Sequence, residues 1–153
     1  MFSSDYEDLF STLDAYRIKC LVVGAHAVAV HAQPRFTKDL DVWIPPALND
    51  SRRVYQALKA YGAPLRDLMA ESFAESDLVL QIGVAPVRID IMMSVPGLVA
   101  QEAWKRRVKT KYGNAVIHVL GLSDVIQSKR TAGRPQDKFD LAKLLKRKRS
   151  GYR

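Results

Sequence analysis

The alternation of apolar and polar positions divides the chain into short elements. Leu9, Phe10, Leu13 and Tyr16 recur at helical spacing after a Ser4-x-x-Glu7 pair of capping-box form, which predicts a helix over 4–17. Cys20-Leu21-Val22-Val23 is a short apolar run of buried-strand type ending at Gly24. Residues 25–32 are small and apolar and predict a tightly packed helix, broken at Pro34. Asp39 to Ile44 alternates as a half-buried strand does, and Pro45-Pro46 ends it. A helix follows over 49–61, behind the cap-type residues Asn49-Asp50-Ser51 and before Gly62. Two β-type runs, 78–82 and 86–93, flank Gly83-Val84-Ala85 and predict a hairpin. A helix over 99–109, a strand over 115–119 and helices over 123–132 and 136–148 complete the chain, the last two split by Gly133-Arg134-Pro135. Mixed elements with antiparallel pairing predict an α+β or α/β class with a small sheet. There is no internal repeat, low-complexity segment or linker, so residues 1–153 are expected to form one domain.

Composition changes this picture in two respects. The apolar fraction of 48% and charged fraction of 26% are those of a globular protein, and no apolar run approaches the roughly 18 residues a membrane helix requires. The opening Met1-Phe2-Ser3-Ser4-Asp5 lacks the order of a signal peptide, and the lone Cys20 excludes an internal disulfide and a cysteine zinc site. The expected location is therefore the cytoplasm, with no membrane partner. Charge is unevenly spread. The net charge is +8, and residues 129–153 hold 10 basic and 2 acidic residues, so the entire excess lies at the C-terminal end. From about residue 143, Lys143, Lys146, Arg147, Lys148 and Arg149 form either a surface for a polyanion such as RNA or DNA or a solvated, frayed tail.

The candidate chemistry is carboxylate chemistry. In a strand, Asp39 and Asp41 emerge on one face while Leu40, Val42 and Ile44 pack inward. Adjacent carboxylates repel unless a cation or proton settles the conflict, and hard divalent ions such as Mg²⁺ take oxygen ligands of this kind. Val87-Arg88-Ile89-Asp90-Ile91-Met92 alternates likewise, placing Asp90 opposite its apolar face beside Arg88. If the two strands pair, three carboxylates meet on one patch, a layout used with two metal ions for phosphoryl and nucleotidyl transfer. Gly24, between a strand and a helix, suits a turn whose backbone N–H groups face an anion. His26 and His31, five residues apart, do not share a helix face as metal ligands and are expected to be structural. Phosphate-binding glycine loops, H-E-x-x-H and G-x-S-x-G are all missing.

The ordered set Val23-Gly24-Ala25, Asp39-Leu40-Asp41 and Ile89-Asp90-Ile91 resembles the nucleotidyltransferase superfamily, with its hG[GS], DxD and third Asp. The late string Lys129-Arg130-Thr131-Ala132-Gly133-Arg134-Pro135-Gln136-Asp137-Lys138-Phe139-Asp140 is similar to the AbiEii/MenAT-like, toxin-type branch. The resemblance runs from about residue 18 to residue 145. It implies a small mixed sheet flanked by helices, with C-terminal helices beyond it. It implies Mg²⁺ on Asp39, Asp41 and Asp90, with Lys129 on the triphosphate of an NTP. Asp137 and Asp140 would orient Lys129 or Arg134 or help hold the nucleotide, and Arg134 would meet triphosphate charge or pair with Asp137. Where the family often has Ser after the glycine, this chain has Ala25, so His26 or Thr37 would have to supply a donor. The leading expectation is transfer of NMP from an NTP to a hydroxyl of RNA, such as a tRNA 3′ end, or of a protein, with an antitoxin as a further partner. The alternatives are a relative that binds nucleotide, nucleic acid or protein without catalysis, and a carboxylate nuclease.

Overall fold

In the computed structural model the described residues are 4–32, 39–84 and 86–150. Helix α1 (Ser4–Ala15) buries Tyr6, Leu9, Phe10 and Leu13, the stripe the spacing predicts. Glu7 Oε2 accepts from the Asn114 backbone N–H at 2.9 Å, tying α1 to a distant turn. Strand β1 (Leu21–Val23) runs directly into α2 (Gly24–His31). Strand β2 (Asp39–Trp43) is followed by a 3₁₀ turn over Pro46–Leu48 and by α3 (Ser51–Tyr61), which Asp50 caps by accepting from Arg52 N–H. The hairpin β3 (Val79–Val84) and β4 (Val87–Met92) forms as expected, but with a tighter turn: Gly83 and Val84 belong to the ladder, opposite Arg88 and Val87.

One expectation fails. The helix over 99–109 is only α4 (Ala100–Lys105), and Val108–Tyr112 is a strand, β5, paired antiparallel with β6 (Ala115–Val119). Val108-Lys-Thr-Lys-Tyr alternates with period two and is followed by Gly113-Asn114, a tight-turn pair. Helices α5 (Leu122–Ala132) and α6 (Pro135–Arg149) close the chain. The C-terminal basic segment is helical through Arg149.

The sheet has the order β3-β4-β2-β1-β6-β5. Its centre is mixed: β2 lies antiparallel to β1 and parallel to β4, and β1 lies parallel to β6. This is the expected α+β architecture. The core holds the inward residues Leu40, Val42, Ile89 and Ile91 together with β1 and the buried face of α1. That core fixes β2 and β4 in register, and so places their polar face.

Candidate active site

The parallel register sets Asp41 opposite Asp90 and Asp39 opposite Arg88. Strands lie about 4.8 Å apart and side chains alternate, so Asp39, Asp41 and Asp90 occupy one face. Arg88 Nε donates to Asp90 Oδ1 at 3.2 Å, so the third carboxylate is already neutralised in part. Tyr6 Oη donates to the Arg88 carbonyl at 3.1 Å and holds α1 against this end of β4. Among the described residues, no group of three or more His, Cys, Asp or Glu side chains is placed to hold a metal ion by itself. The expected convergence is thus a shared patch of sheet with one member tied to arginine.

Asp41 carries the tension of the patch. Among the described residues no donor hydrogen-bonds its carboxylate. Burial first, then the charges of Asp90 and Asp39, push its pKa up to about 6, against weaker opposing pulls from Arg88 and Lys129. Its carboxylate sits against the backbone of Gly24: a Cβ on that residue would overlap Asp41 Oδ2. Gly24 also has φ +67°, which glycine adopts without steric cost. A crowded oxygen-donor pair without hydrogen-bond donors fits a hard divalent cation, with phosphate and water oxygens completing the shell.

Gly24 opens α2 with Val23 as N-cap, which offers no side-chain hydrogen bond to the first turn. The N–H groups at that helix start are unpaired by the helix itself and suit an anion. Ala25 and His26 follow in that turn. The His26 ring meets Tyr6 edge-on at 5.8 Å, and burial lowers its pKa while Asp39 pulls it back up. His26 is thus placed beside the carboxylates. Thr37 lies outside the described residues.

Across the cavity stands a cationic element. Lys129 is buried, 8% exposed, and its Nζ lies 3.0 Å from Asp137 Oδ1 and 3.3 Å from Asp140 Oδ2, both fully buried. Asp137 also accepts from Arg134 Nε at 2.7 Å and from the Arg134 backbone N–H at 3.1 Å. The Arg134 hydrogen bonds, with Lys129 adding to them, hold its carboxyl down at about 2. Arg134 keeps most of its side chain exposed, 72%. A cavity of about 330 Å³ is lined by Gly24, Asp41, Lys129, Arg134 and Asp137, with Met92, Val95, Pro96, Leu120 and Val125 as its apolar wall. The apolar wall carries no signal in the sequence; only the folded chain gathers it from separate segments. His31, as expected, is structural: it is buried and its Nε2 lies 2.7 Å from the Leu120 carbonyl, to which it donates.

Residues 1–148 match the family described as a nucleotidyltransferase of unknown function (DUF6036). A Thermotoga maritima protein assigned as a nucleotidyltransferase shares the fold at 15% identity, with 95% of this chain and 96% of that one covered and a TM-score of 0.59. The lincosamide antibiotic adenylyltransferase LnuA, solved with lincomycin bound, shares it at 16% identity, with coverage of 90% and 94% and a TM-score of 0.53. At these identities the likeness establishes the fold alone. No curated protein matches the sequence.

Proposed function

Since this chain belongs to the DUF6036 family of nucleotidyltransferases, we propose that it moves NMP from an NTP to a hydroxyl of RNA or protein, with Mg²⁺ held by Asp39 and Asp41 and joined by Asp90. The observation that carries this reading is Asp41: a half-buried carboxylate raised to about 6, crowded by two others, in the cavity that also holds Lys129 and Arg134. Mg²⁺, when bound, supplies neutralisation of triphosphate charge and lowers the pKa of the acceptor hydroxyl.

The chain's own groups divide the remaining work. The α2 N-terminus at Gly24 and Ala25 offers backbone N–H groups to phosphate oxygens, in place of the missing serine hydroxyl. Lys129, fixed by Asp137 and Asp140, presents a positioned point charge, and the exposed Arg134 guanidinium adds a forked donor for phosphate oxygens. His26 and Thr37 are the candidate side-chain donors to the same anion. Asp137 and Asp140 position Lys129. The acceptor oxygen bonds to the α-phosphorus, the bond to the β-phosphate oxygen breaks, and pyrophosphate leaves with that electron pair. Asp90, once released from Arg88, would take the acceptor's proton. The apolar side chains Met92, Val95, Pro96, Leu120 and Val125 form the wall beside this exchange.

The late Lys129-to-Asp140 string supports placement in the toxin-type branch, with an antitoxin as partner. The lone buried Cys20 is consistent with work in the cytoplasm. Among the described residues, no helix is long and apolar enough to cross a membrane. The test incubates the protein with each α-labelled NTP, Mg²⁺ and total RNA or lysate. Asp41→Asn is expected to abolish labelling, and undiminished labelling by that variant refutes the metal role. Ala25 favours a second reading, a nucleotide-binding relative without transfer. Saturable NTP binding with no label in RNA or protein would select it.

A further inference from the structure

Helix α6 carries two different faces. Asp137, Asp140 and Leu144 point inward and are fully buried. Phe139, Lys143, Lys146, Arg147 and Ser150 follow at i, i+4, i+7, i+8 and i+11, which is one stripe of a helix. The last four of these, with Ala32, line a cavity of about 360 Å³. Arg147 Nε donates to the His31 carbonyl at 3.2 Å, so the stripe is fastened to the end of α2. Among the described residues no carboxylate pairs with Lys143, Lys146, Lys148 or Arg149. Like charges at i,i+3 and i,i+4 repel, and a helix C-terminus offsets only about half a charge. Phe139 is 59% exposed, and Lys143 Nζ stands 4.5 Å over its ring.

Two helices measure the distance from this stripe to the carboxylate patch. From Gly24 to Ala32 along α2 is about 12 Å, and from Asp137 to Arg147 along α6 about 15 Å, at 1.5 Å per residue. A basic track with an aromatic platform, one such span from the reacting centre, is the make-up of a single-strand nucleic-acid surface. We propose that this stripe is the acceptor track: a single-stranded RNA lays backbone phosphates on Lys143, Lys146 and Arg147, stacks a base on Phe139, and so presents its terminal hydroxyl to the carboxylates. The identity of the reacting end rests on the nucleotidyl-transfer reading; the track itself does not.

The experiment uses the full chain and two fluorescent single-stranded RNAs, ten and two nucleotides long, with the same free end. Binding is read by anisotropy across a salt series, and NTP binding is read separately. For the ten-mer, Lys143→Gln/Lys146→Gln is expected to flatten the slope of log affinity against log salt by about 1.4, since each single-strand phosphate contact contributes about 0.7. Phe139→Ala is expected to weaken the ten-mer roughly tenfold with the slope unchanged. Dinucleotide and NTP binding should stay at wild-type values in both variants. An unchanged ten-mer slope, equal losses for both lengths, no wild-type binding of the ten-mer, or label entering protein alone would each overturn the track. NTP binding without RNA binding leaves nucleotidyl transfer standing and the track refuted. RNA binding that follows the expected slopes, without any NMP transfer, leaves the track standing and refutes the transfer reading instead.

Discussion

At Asp41 the folded chain favours the proton, because burial and two carboxylate neighbours raise its pKa from 3.8 to about 6. A raised folded pKa gives stability that is present below about pH 4 and lost as pH rises through about 6. Removing the charge should therefore help the metal-free protein at neutral pH. Asp41→Asn is expected to gain about 1–2 kcal/mol at pH 7.5, after allowing for solvent screening, and nothing near pH 4. Urea titrations at the two pH values check it, and a gain independent of pH would contradict it. Lys129 is the opposite case. Lys129→Met removes the ammonium that bridges two buried carboxylates, leaving Asp140 with Gln136 Nε2 and Asp137 with Arg134, with an expected loss of about 3–5 kcal/mol. Adding Asp140→Asn should return part of that loss in the same denaturation assay. Both aspartates around Lys129 are legible in the sequence as a motif, but their burial is not. A lysine on a helix carries no sign of its own exposure; only the packing of α5 on α6 supplies it.

The elements differ in how much of themselves the sequence shows. Alternation in β2 and β4 is clear, since each has one buried face, and it gives the side on which Asp39, Asp41 and Asp90 stand. Their pairing could only be conditional, because the register that sets Asp41 against Asp90 depends on the intervening α3 and β3. The Arg88–Asp90 ion pair is equally hidden, as arginine two residues away on the same face can turn to solvent. Strand β5 reads as the end of a helix because Lys109 and Lys111 suit a helix end as well as an exposed strand edge, and the pairing with β6 decides the matter. At its turn, Gly113 has φ +59°, and a Cβ there would overlap Glu7 Oε2, the acceptor for Asn114 N–H. Gly113→Ala is expected to cost about 1–2 kcal/mol, more than the helix-propensity scale of this change, through strain and loss of the α1 contact. Thermal unfolding beside Glu7→Ala, which removes the acceptor and leaves the Gly113 backbone unstrained, separates the two contributions.

At the scale of the whole molecule, α6 joins two cavities, Asp137 lining one near its start and Arg147 the other near its end. Positive charge collects at the outer end of α6, while the carboxylates and the apolar wall occupy the sheet end. The C-terminal excess is visible by counting alone; that it forms an ordered stripe depends on α6 continuing to Arg149 and on the Arg147–His31 contact. Ligand linkage follows from the same layout. A non-hydrolysable NTP at about 100 times its Kd, with Mg²⁺, should add about 2.7 kcal/mol and raise Tm by roughly 5–10 °C. In Asp41→Asn the Mg²⁺-dependent part of that rise should vanish, leaving the rise seen with nucleotide alone, as differential scanning calorimetry would show.

The lysine clamp joins residues only 8 and 11 positions apart, whereas Asp41 and Asp90 meet across about fifty. Closing a short loop sacrifices less chain entropy, and local contacts form sooner during folding. The α5–α6 hairpin should therefore assemble ahead of the strands that carry the acids. In pulse-labelled hydrogen exchange during refolding, its amides are expected to gain protection before those of β2 and β4. The cationic half of the cavity would then be a finished template on which the anionic half is later completed.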